Sequence, residues 1–497
     1  MEDLVLALDL GTTNIKAGIL DVNGNLLKVE TKELSVERDS TGKAEHNPDV
    51  IFESVISICK TVVQGYEERV KIIVPSSYMF GFVPLDKDFK PLTGIITLLD
   101  TRSQETFHEL LQIVDYDQLY NRTGCPPLFL YPFAKIYWLK QRKPEIFKNA
   151  RYFLCSKSFI CLLLTGEIYS DPSVSSSTQM MNIHSLNWDP YALSVLGIDE
   201  RNLAKIVPAE KVVGQIRPKV AEMIGLGKDV KVLNGVYDSG AVALGTGALQ
   251  GYYGIINLGT TAMIRVAYPK PVVDKDKRKR FQACYLCNNR WFIGGSINNA
   301  GIILKWFRDN IFNLPYDKMS ELAAQDDSKD LFFLPFITGE RYPEIGNVAC
   351  GVFFGLKSHH TKLHMIRAGM EGVVFSLKLA FDALKENGIE VSELRAGGGG
   401  TNSNVWMNIF ANVFNLPVKI PQAKEAALLG SSILGHYALG HYKTLDEATE
   451  KLVKIEKSYL PLPAEVEYYS KRYEFFKYLV SFMREAYQKH FELFSTK

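Results

Sequence analysis

The sequence predicts an α/β protein made of two similar halves that share a ligand cleft. Three observations predict it. From Leu4 to Asp21 the chain reads LVLALDLGTTNIKAGILD: an apolar run, a Gly-Thr-Thr turn and an alternating run, which is the pattern of a β-hairpin. Gly254 to Val266, GIINLGTTAMIRV, repeats it, and Leu-Gly-Thr-Thr recurs at 10–13 and 258–261, half a chain apart. The 497 residues are enough for two or more domains with sizeable cores. The halves are expected at 1–247 and 248–497.

Taken in order, residues 1–100 alternate strands and helices. A strand is expected near Leu26–Thr31. Asn47-Pro48 then opens a helix to about Tyr66, with a capping residue before a proline at the first helical position. Strands follow at Val70–Val74 and Ile95–Leu99. Ser103 to about Gly197 is mostly helical and reads as an insertion. Lys231–Val236 is a short apolar strand leading into Tyr237-Asp238-Ser239-Gly240. The Ala/Gly-rich run Gly240–Gly251 reads as a hinge region or, alternatively, as close helix packing.

In the second half the repeated hairpin is followed by a helix from about Asn299 to Ile311, with Trp306 on its apolar face, and a strand at Leu331–Ile337. His364–Asn387 keeps helical spacing through Ile366, Met370, Val373, Leu377 and Phe381. A strand at Glu393–Ala396 opens into Gly397–Gly400 and a helix through Trp406 and Phe410. Residues 464–497 read as a peripheral, charged C-terminal helix.

Composition excludes several classes. A net charge of +2 gives no reason to expect a nucleic-acid or anionic-membrane partner. The run Asp274–Arg280 reads as a solvated loop. Seven scattered cysteines do not form a disulfide framework. Cys284 and Cys287 form a lone CxxC, read as two half-buried strand thiols. The N-terminus lacks a basic leader region, and Lys157 interrupts the apolar stretch Phe153–Leu164. A reducing cytoplasm is the expected setting.

The chemistry concentrates in three glycine turns: Gly11-Thr12-Thr13, Gly259-Thr260-Thr261 and Gly397–Gly400. Exposed N–H groups in such turns form a nest for a phosphate oxygen, and Asp9 at the mouth of the first suits the Mg²⁺ that accompanies a nucleotide. The third turn follows a strand and opens a helix, where free N–H groups favour an anion or a polar ring edge. No GxxxxGK[ST] and no strand–GxGxxG–helix is present, so a P-loop and a dinucleotide fold are not expected. Asp238, at a strand-to-helix junction, fits two roles equally well on spacing alone. One is a general base kept ionised by the helix N-terminus; the other is an N-cap. His359, His360 and His364 have no carboxylate or cysteine at ligand spacing and read as helix-start residues rather than a metal site.

The chain resembles the FGGY carbohydrate kinases of the actin-like ATPase superfamily over nearly its whole length. The segments that carry the resemblance are DLGTTNIKAG at 9–18, PFAKIYWLK at 132–140, NGVYDSGAVALGTGA at 234–248 and NLGTTAMIRV at 257–266. They continue with NNAGIILKWFRD at 298–309, LPFITGERYP at 334–343, MIRAGMEGVVFSL at 365–377 and GGGGTNSNVW at 397–406. The resemblance implies two actin-like (ribonuclease H-like) α/β domains with an interdomain catalytic cleft, and ATP with Mg²⁺. It implies Asp9 near the metal, and Gly11, Thr12, Thr13, Lys16, Gly259, Thr260 and Thr261 around the phosphates. Gly301 and Lys305 would line one side of the adenosine pocket, with Gly398, Gly399, Asn402 and Ser403 on the other. Asp238 falls on the catalytic base.

Within the family the middle segments are most similar to gluconokinases. One departure stands out: Tyr78-Met79-Phe80 replaces the Gln-Met-His of gluconokinases and xylulokinases. Tyr78, Met79, Phe80, Arg102, Asp238 and Ser239 are the expected substrate residues, Arg102 being the nearest candidate in the sequence to meet a substrate carboxylate. The expected activity is ATP-dependent phosphorylation of a primary hydroxyl on a small sugar or sugar acid, gluconate first. A ketopentose kinase and a non-catalytic nucleotide-gated sugar sensor are the alternatives. A small-molecule partner is expected, with no nucleic acid or membrane, and a homodimer is admitted as an assembly.

Overall fold

Consecutive apolar side chains bury nearly all of Leu4–Leu10, and this strand sits inside the first sheet of the computed structural model, which describes residues 2–343 and 345–494. Leu4–Leu10 pairs antiparallel with Asn14–Leu20, placing Asp9 opposite Lys16. Asn14–Leu20 pairs in turn with Leu26–Glu33. On its other side Leu4–Leu10 runs parallel to Val70–Ser77, which is followed by Lys231–Leu233 and the antiparallel edge Val212–Gln215.

The second sheet repeats this plan. Trp291–Ile297, Ala262–Tyr268 and Tyr253–Leu258 form the antiparallel meander, Glu393–Gly397 and Val418–Pro421 add in parallel, and Ile455–Tyr459 closes the edge. Gln282–Tyr285 is one strand more than the first sheet has. The repeated four letters therefore mark a repeated domain: two actin-like α/β units.

Most elements fall where the pattern puts them. Pro48–Val63 is a helix whose N-cap, Asn47, accepts from the N–H groups of Asp49 and Val50. Lys362–Glu386 is the long second-half helix. Ile95–Ile96 and Lys231–Leu233 are shorter than expected. Gly301–Phe307 runs on as a wider turn through Arg308–Phe312, and it is Phe307, not Trp306, that is fully buried.

The region from Ser103 is helical as expected, with the strand Tyr152–Cys155 joining a small sheet. Lys157 in that region is fully buried against Asp171 at 2.8 Å.

Two expectations change. The C-terminal helix Pro463–Phe494 is not peripheral: Tyr469, Tyr473, Phe476, Leu479 and Tyr487 enter the second core, and Arg472 reaches the buried Glu371 at 2.9 Å. Residues 495–497 of the expected helix lie outside the described residues. Cys284 and Cys287 are fully buried rather than half-buried, because the second sheet is covered on the face they share.

Of the glycines in 240–251, Gly245 sits where two helices pack. The Asp238–Gly245 helix lies against Ala426–Ala438, and a Cβ on Gly245 or Gly430 would strike the facing backbone carbonyl of Ala426 or Ala241. Ala426–Ala438 belongs to the second half by sequence. Its Leu428, Leu429, Ile433 and Leu434 nevertheless share a core with Val5, Ala7 and Val74 of the first sheet. Among the described residues no helix is long and apolar enough to cross a membrane.

Candidate active site

The site assembles at the carboxyl ends of parallel strands, where open α/β sheets place their ligands. In the first sheet Leu10 lies beside Ser77, and Ser77 bridges to Tyr237. That register sets Asp9, Ser76 and Asp238 at one end of neighbouring strands. In the second sheet Asn257 lies beside Gly397, so the second Gly-Thr-Thr turn and the glycine run are neighbours.

The Asp9 carboxylate is half-buried and accepts from the Ser76 hydroxyl at 2.6 Å. Burial raises its pKa; Ser76 and Lys16 oppose the shift and Glu425 adds to it. Lys16 does not point its charge freely at a phosphate. It crosses between the halves to Glu425 at 2.7 Å.

Behind the first turn His46 sets Nε2 2.9 Å from the Thr12 carbonyl and Nδ1 2.9 Å from the Tyr78 hydroxyl. A carbonyl only accepts, so Nε2 carries the proton and Nδ1 accepts from the phenol. Burial lowers the His46 pKa, which keeps the ring neutral in that role.

Asp238 is the first residue of its helix and Tyr237 is the N-cap, so Asp238 is not an N-cap. Its Oδ1 accepts from the Ser239 N–H at 2.6 Å and from the Ser239 hydroxyl at 3.2 Å. The helix N-terminus does not hold it at an ordinary acidity. Burial first, and then the charge of Asp9, raise its pKa to about 7. A carboxylate with that value is suited to taking a hydroxyl proton near neutrality.

Two facing carboxylates with little cationic compensation also fit a hard divalent cation, which needs only one or two protein carboxylates beside phosphate and water oxygens. A buried frame holds the junction. Lys157 donates to the Asn234 carbonyl at 2.5 Å and pairs with Asp171, Asp171 accepts from Ser173, and the Tyr237 N–H donates to Ser173 Oγ at 3.2 Å.

Gly259, Thr260, Gly301, Lys305, Gly399, Asn402 and Ser403 line one cavity of about 490 Å³. Gly301 sits there because the Gly301 N–H donates to the Gly259 carbonyl at 2.9 Å and a Cβ would come within 2.5 Å of that oxygen. Gly398 takes φ +93°, a left-handed turn that glycine tolerates. Thr261 closes the second turn by accepting from the Gly259 N–H at 3.0 Å. Tyr316 and Ser320 also line this cavity, Ser320 Oγ lying 2.6 Å from Ser403 Oγ. Nothing in their local sequence marks them.

The expected substrate residues separate. Tyr78 is buried to 1% exposure and its hydroxyl is bonded to His46 behind the first Gly-Thr-Thr turn. Met79 is buried in a core shared with Tyr237 and Met263. Phe80 alone of the three lines a second cavity, of about 360 Å³, edge-on to Tyr131. Its φ of +65° is strained for a bulky residue, and Lys135, which donates to the Phe80 carbonyl at 2.9 Å, holds it there.

Arg102 does not line that cavity. Its guanidinium pairs with Asp100 at 2.7 Å and Glu45 at 2.5 Å and stacks on Trp138, so its charge is already neutralised. The run Asp274–Arg280 is not simply solvated either: Asp274 and Arg280 are buried and paired, and Arg278, Lys279 and Arg280 line the second cavity.

His364 does act at a helix start, accepting from the Thr361 N–H. Tertiary structure brings Asp330 to His359 and His360, a carboxylate that sequence spacing does not place there. Lys357 pairs with that same Asp330.

A duplicated actin-like core, a phosphate-type turn in each half and a base-competent carboxylate between them define a phosphotransferase with an alcohol acceptor. Comparison with known proteins agrees. The N-terminal domain of the FGGY family of carbohydrate kinases matches residues 4–245 and its C-terminal domain matches residues 254–439. A gluconokinase of Bacillus subtilis is 33% identical over 469 residues, 91% of each chain, and a xylulose kinase of Lactococcus lactis is 28% identical over 95% of each. The crystal structure of a gluconate kinase from Lactobacillus acidophilus superposes with a TM-score of 0.94 at 28% identity, covering 98% of this chain and all of that one. A ligand-bound xylulose kinase from the same organism matches equally well, with a TM-score of 0.94 at 28% identity, covering 98% of this chain and 99% of that one. The chain belongs to the FGGY family of carbohydrate kinases, enzymes that take their phosphoryl group from ATP.

Proposed function

We propose that this kinase transfers the γ-phosphoryl group of ATP to a primary hydroxyl of a sugar acid, with gluconate as substrate. The observation that carries the reading is the placement of Asp238. It stands at the strand ends beside the first phosphate turn, with its pKa raised to about 7. Asp238 takes the hydroxyl proton as the oxygen attacks phosphorus in line, and the phosphate turns hold the donor.

The cavity lined by Gly301, Lys305, Asn402 and Ser403 suits the adenosine end. Asp9 would hold Mg²⁺, which when bound neutralises phosphate charge. The gluconokinases among the relatives support the acid over a ketopentose.

Sugar-dependent ADP release across aldonates, ketopentoses, aldoses and polyols tests the reading. The highest kcat/KM is expected with gluconate. A ketopentose preference would replace the substrate and leave the kinase standing. Binding without turnover on every sugar would make the protein a sensor.

A further inference from the structure

The cavity beside Phe80 and Tyr131 is lined by five cationic side chains, Arg265, Arg278, Lys279, Arg280 and Arg341. Three of them are neutralised: Arg278 by Asp276, Lys279 by Asp117, and Arg280 by Asp274 and Glu386. The other two differ. Arg265, on the strand that leaves the second phosphate turn, is 6% exposed. Its Nη2 donates to Gln282 Oε1 at 2.9 Å, while Nε and Nη1 make no well-formed hydrogen bond among the described residues and have only the Tyr237 phenol and the Cys284 thiol close by. Arg341 also buries its Nε without a hydrogen-bond partner among the described residues. Glu340 beside it spends its oxygens on the N–H groups of Asn298, Asn299 and Arg341 and on the Asn299 side chain.

A buried guanidinium nitrogen with no acceptor is costly, and two neighbouring ones that repel each other more so. Burial opposes the charge on both. At Arg341 the charge of Arg265 adds to that effect against the pull of Glu340, and the pKa is lowered. At Arg265 burial is more than offset by the neighbouring Tyr237, Cys284 and Tyr131, and the pKa is raised. Arg265 acts electrostatically on Asp238, and the phenol of Tyr237, next to Asp238 in the chain, lies close to the Arg265 guanidinium.

An anion with two oxygens would complete this arrangement. Guanidinium forks match a carboxylate in plane and spacing, which an isolated hydroxyl cannot reproduce. We propose that Arg265 and Arg341 form the carboxylate subsite of the sugar site, selecting an aldonate over a neutral sugar and setting the far hydroxyl toward Asp238. This rests on the kinase reading above and replaces Arg102 as the residue that would meet a substrate acid.

The test compares kcat/KM for gluconate with that for xylulose, as a ratio, in the wild type and in Arg265→Met, Arg265→Lys and Arg341→Met. The ratio is expected to fall by at least about 10-fold in each Met variant, the scale of a charged hydrogen bond. It should do so chiefly through KM for gluconate, and Arg265→Lys should restore part of it. Equal losses on both substrates would overturn the subsite and leave Arg265 as a structural partner of Tyr237 and Cys284.

Should the variants fail to fold, the wild type decides: gluconate must raise the melting temperature at concentrations where the uncharged glucitol does not, and equal shifts overturn the proposal. Absence of ADP release with any sugar would instead remove the kinase reading itself.

Discussion

The two Gly-Thr-Thr turns share four letters and a register, yet different neighbours support them. The first adds side chains to its main-chain bonds from Leu34 to Thr13 and within Gly11–Asn14: His46 on the Thr12 carbonyl, Tyr78 on His46, and Lys16 on Glu425 from the other half. The second is backed by main chain: Gly301 donates to Gly259, and Ala300 and Ile302 donate to Thr260. The first turn opens beside two carboxylates, Asp9 and Asp238; the second opens onto the cavity proposed for adenosine. On the proposed reading, the repeated turn is a backbone trap for phosphate, and the surrounding residues divide the labour between acceptor chemistry and nucleotide grip.

The largest expected break in this comparison is on the acceptor side. Asp238→Asn should lower kcat by at least about 10²-fold, the usual scale for a general base, with ATP affinity little changed; near-wild-type turnover in an ADP-release assay would remove the assignment. The same carboxylate predicts a pH limb. The base must be ionised, so kcat/KM for the sugar should fall as pH drops through about 7.

The stability sign is the reverse. A carboxyl whose folded pKa is raised keeps its proton in the fold after the unfolded chain has lost it, so stability declines as pH rises from about 4 toward about 7. Asp238→Asn should therefore raise the melting temperature more at pH 8 than at pH 5, and thermal melts at the two values check it.

On the nucleotide side, Gly301→Ala would push a Cβ to 2.5 Å from the Gly259 carbonyl and displace the second turn. A weakening of ATP binding of about 10-fold is expected, within the range for overpacking a tight contact. Calorimetric titration with a non-hydrolysable analogue measures it, and unchanged affinity would mean the turn is not part of the nucleotide grip. The smallest effect belongs to the cross-half pair. Lys16 and Glu425 are each about one-third exposed, so Lys16→Met should cost at most about 1 kcal/mol in denaturant melts. A larger loss would show that the pair holds the halves together.

Much of this was legible in the chain itself. The hairpins, the Asn47-capped helix, the Lys362–Glu386 helix and the glycine run are written in local alternation, helical period and turn chemistry, which act over a few residues. Motif placement marked Asp238, Asp9 and most of the residues that line the cavity beside the second turn for the same reason. Tertiary structure alone decided which charges were already spent. Arg102 looked available until Asp100 and Glu45 closed on it, and Tyr78 looked sugar-facing until His46 took its hydroxyl. Arg265 and Arg341 drew no notice because an unpaired buried guanidinium is a property of everything around it. Whether a charge is paired, and what pKa a carboxyl takes, depend on desolvation and on neighbours from remote parts of the chain, and no short window of sequence contains those.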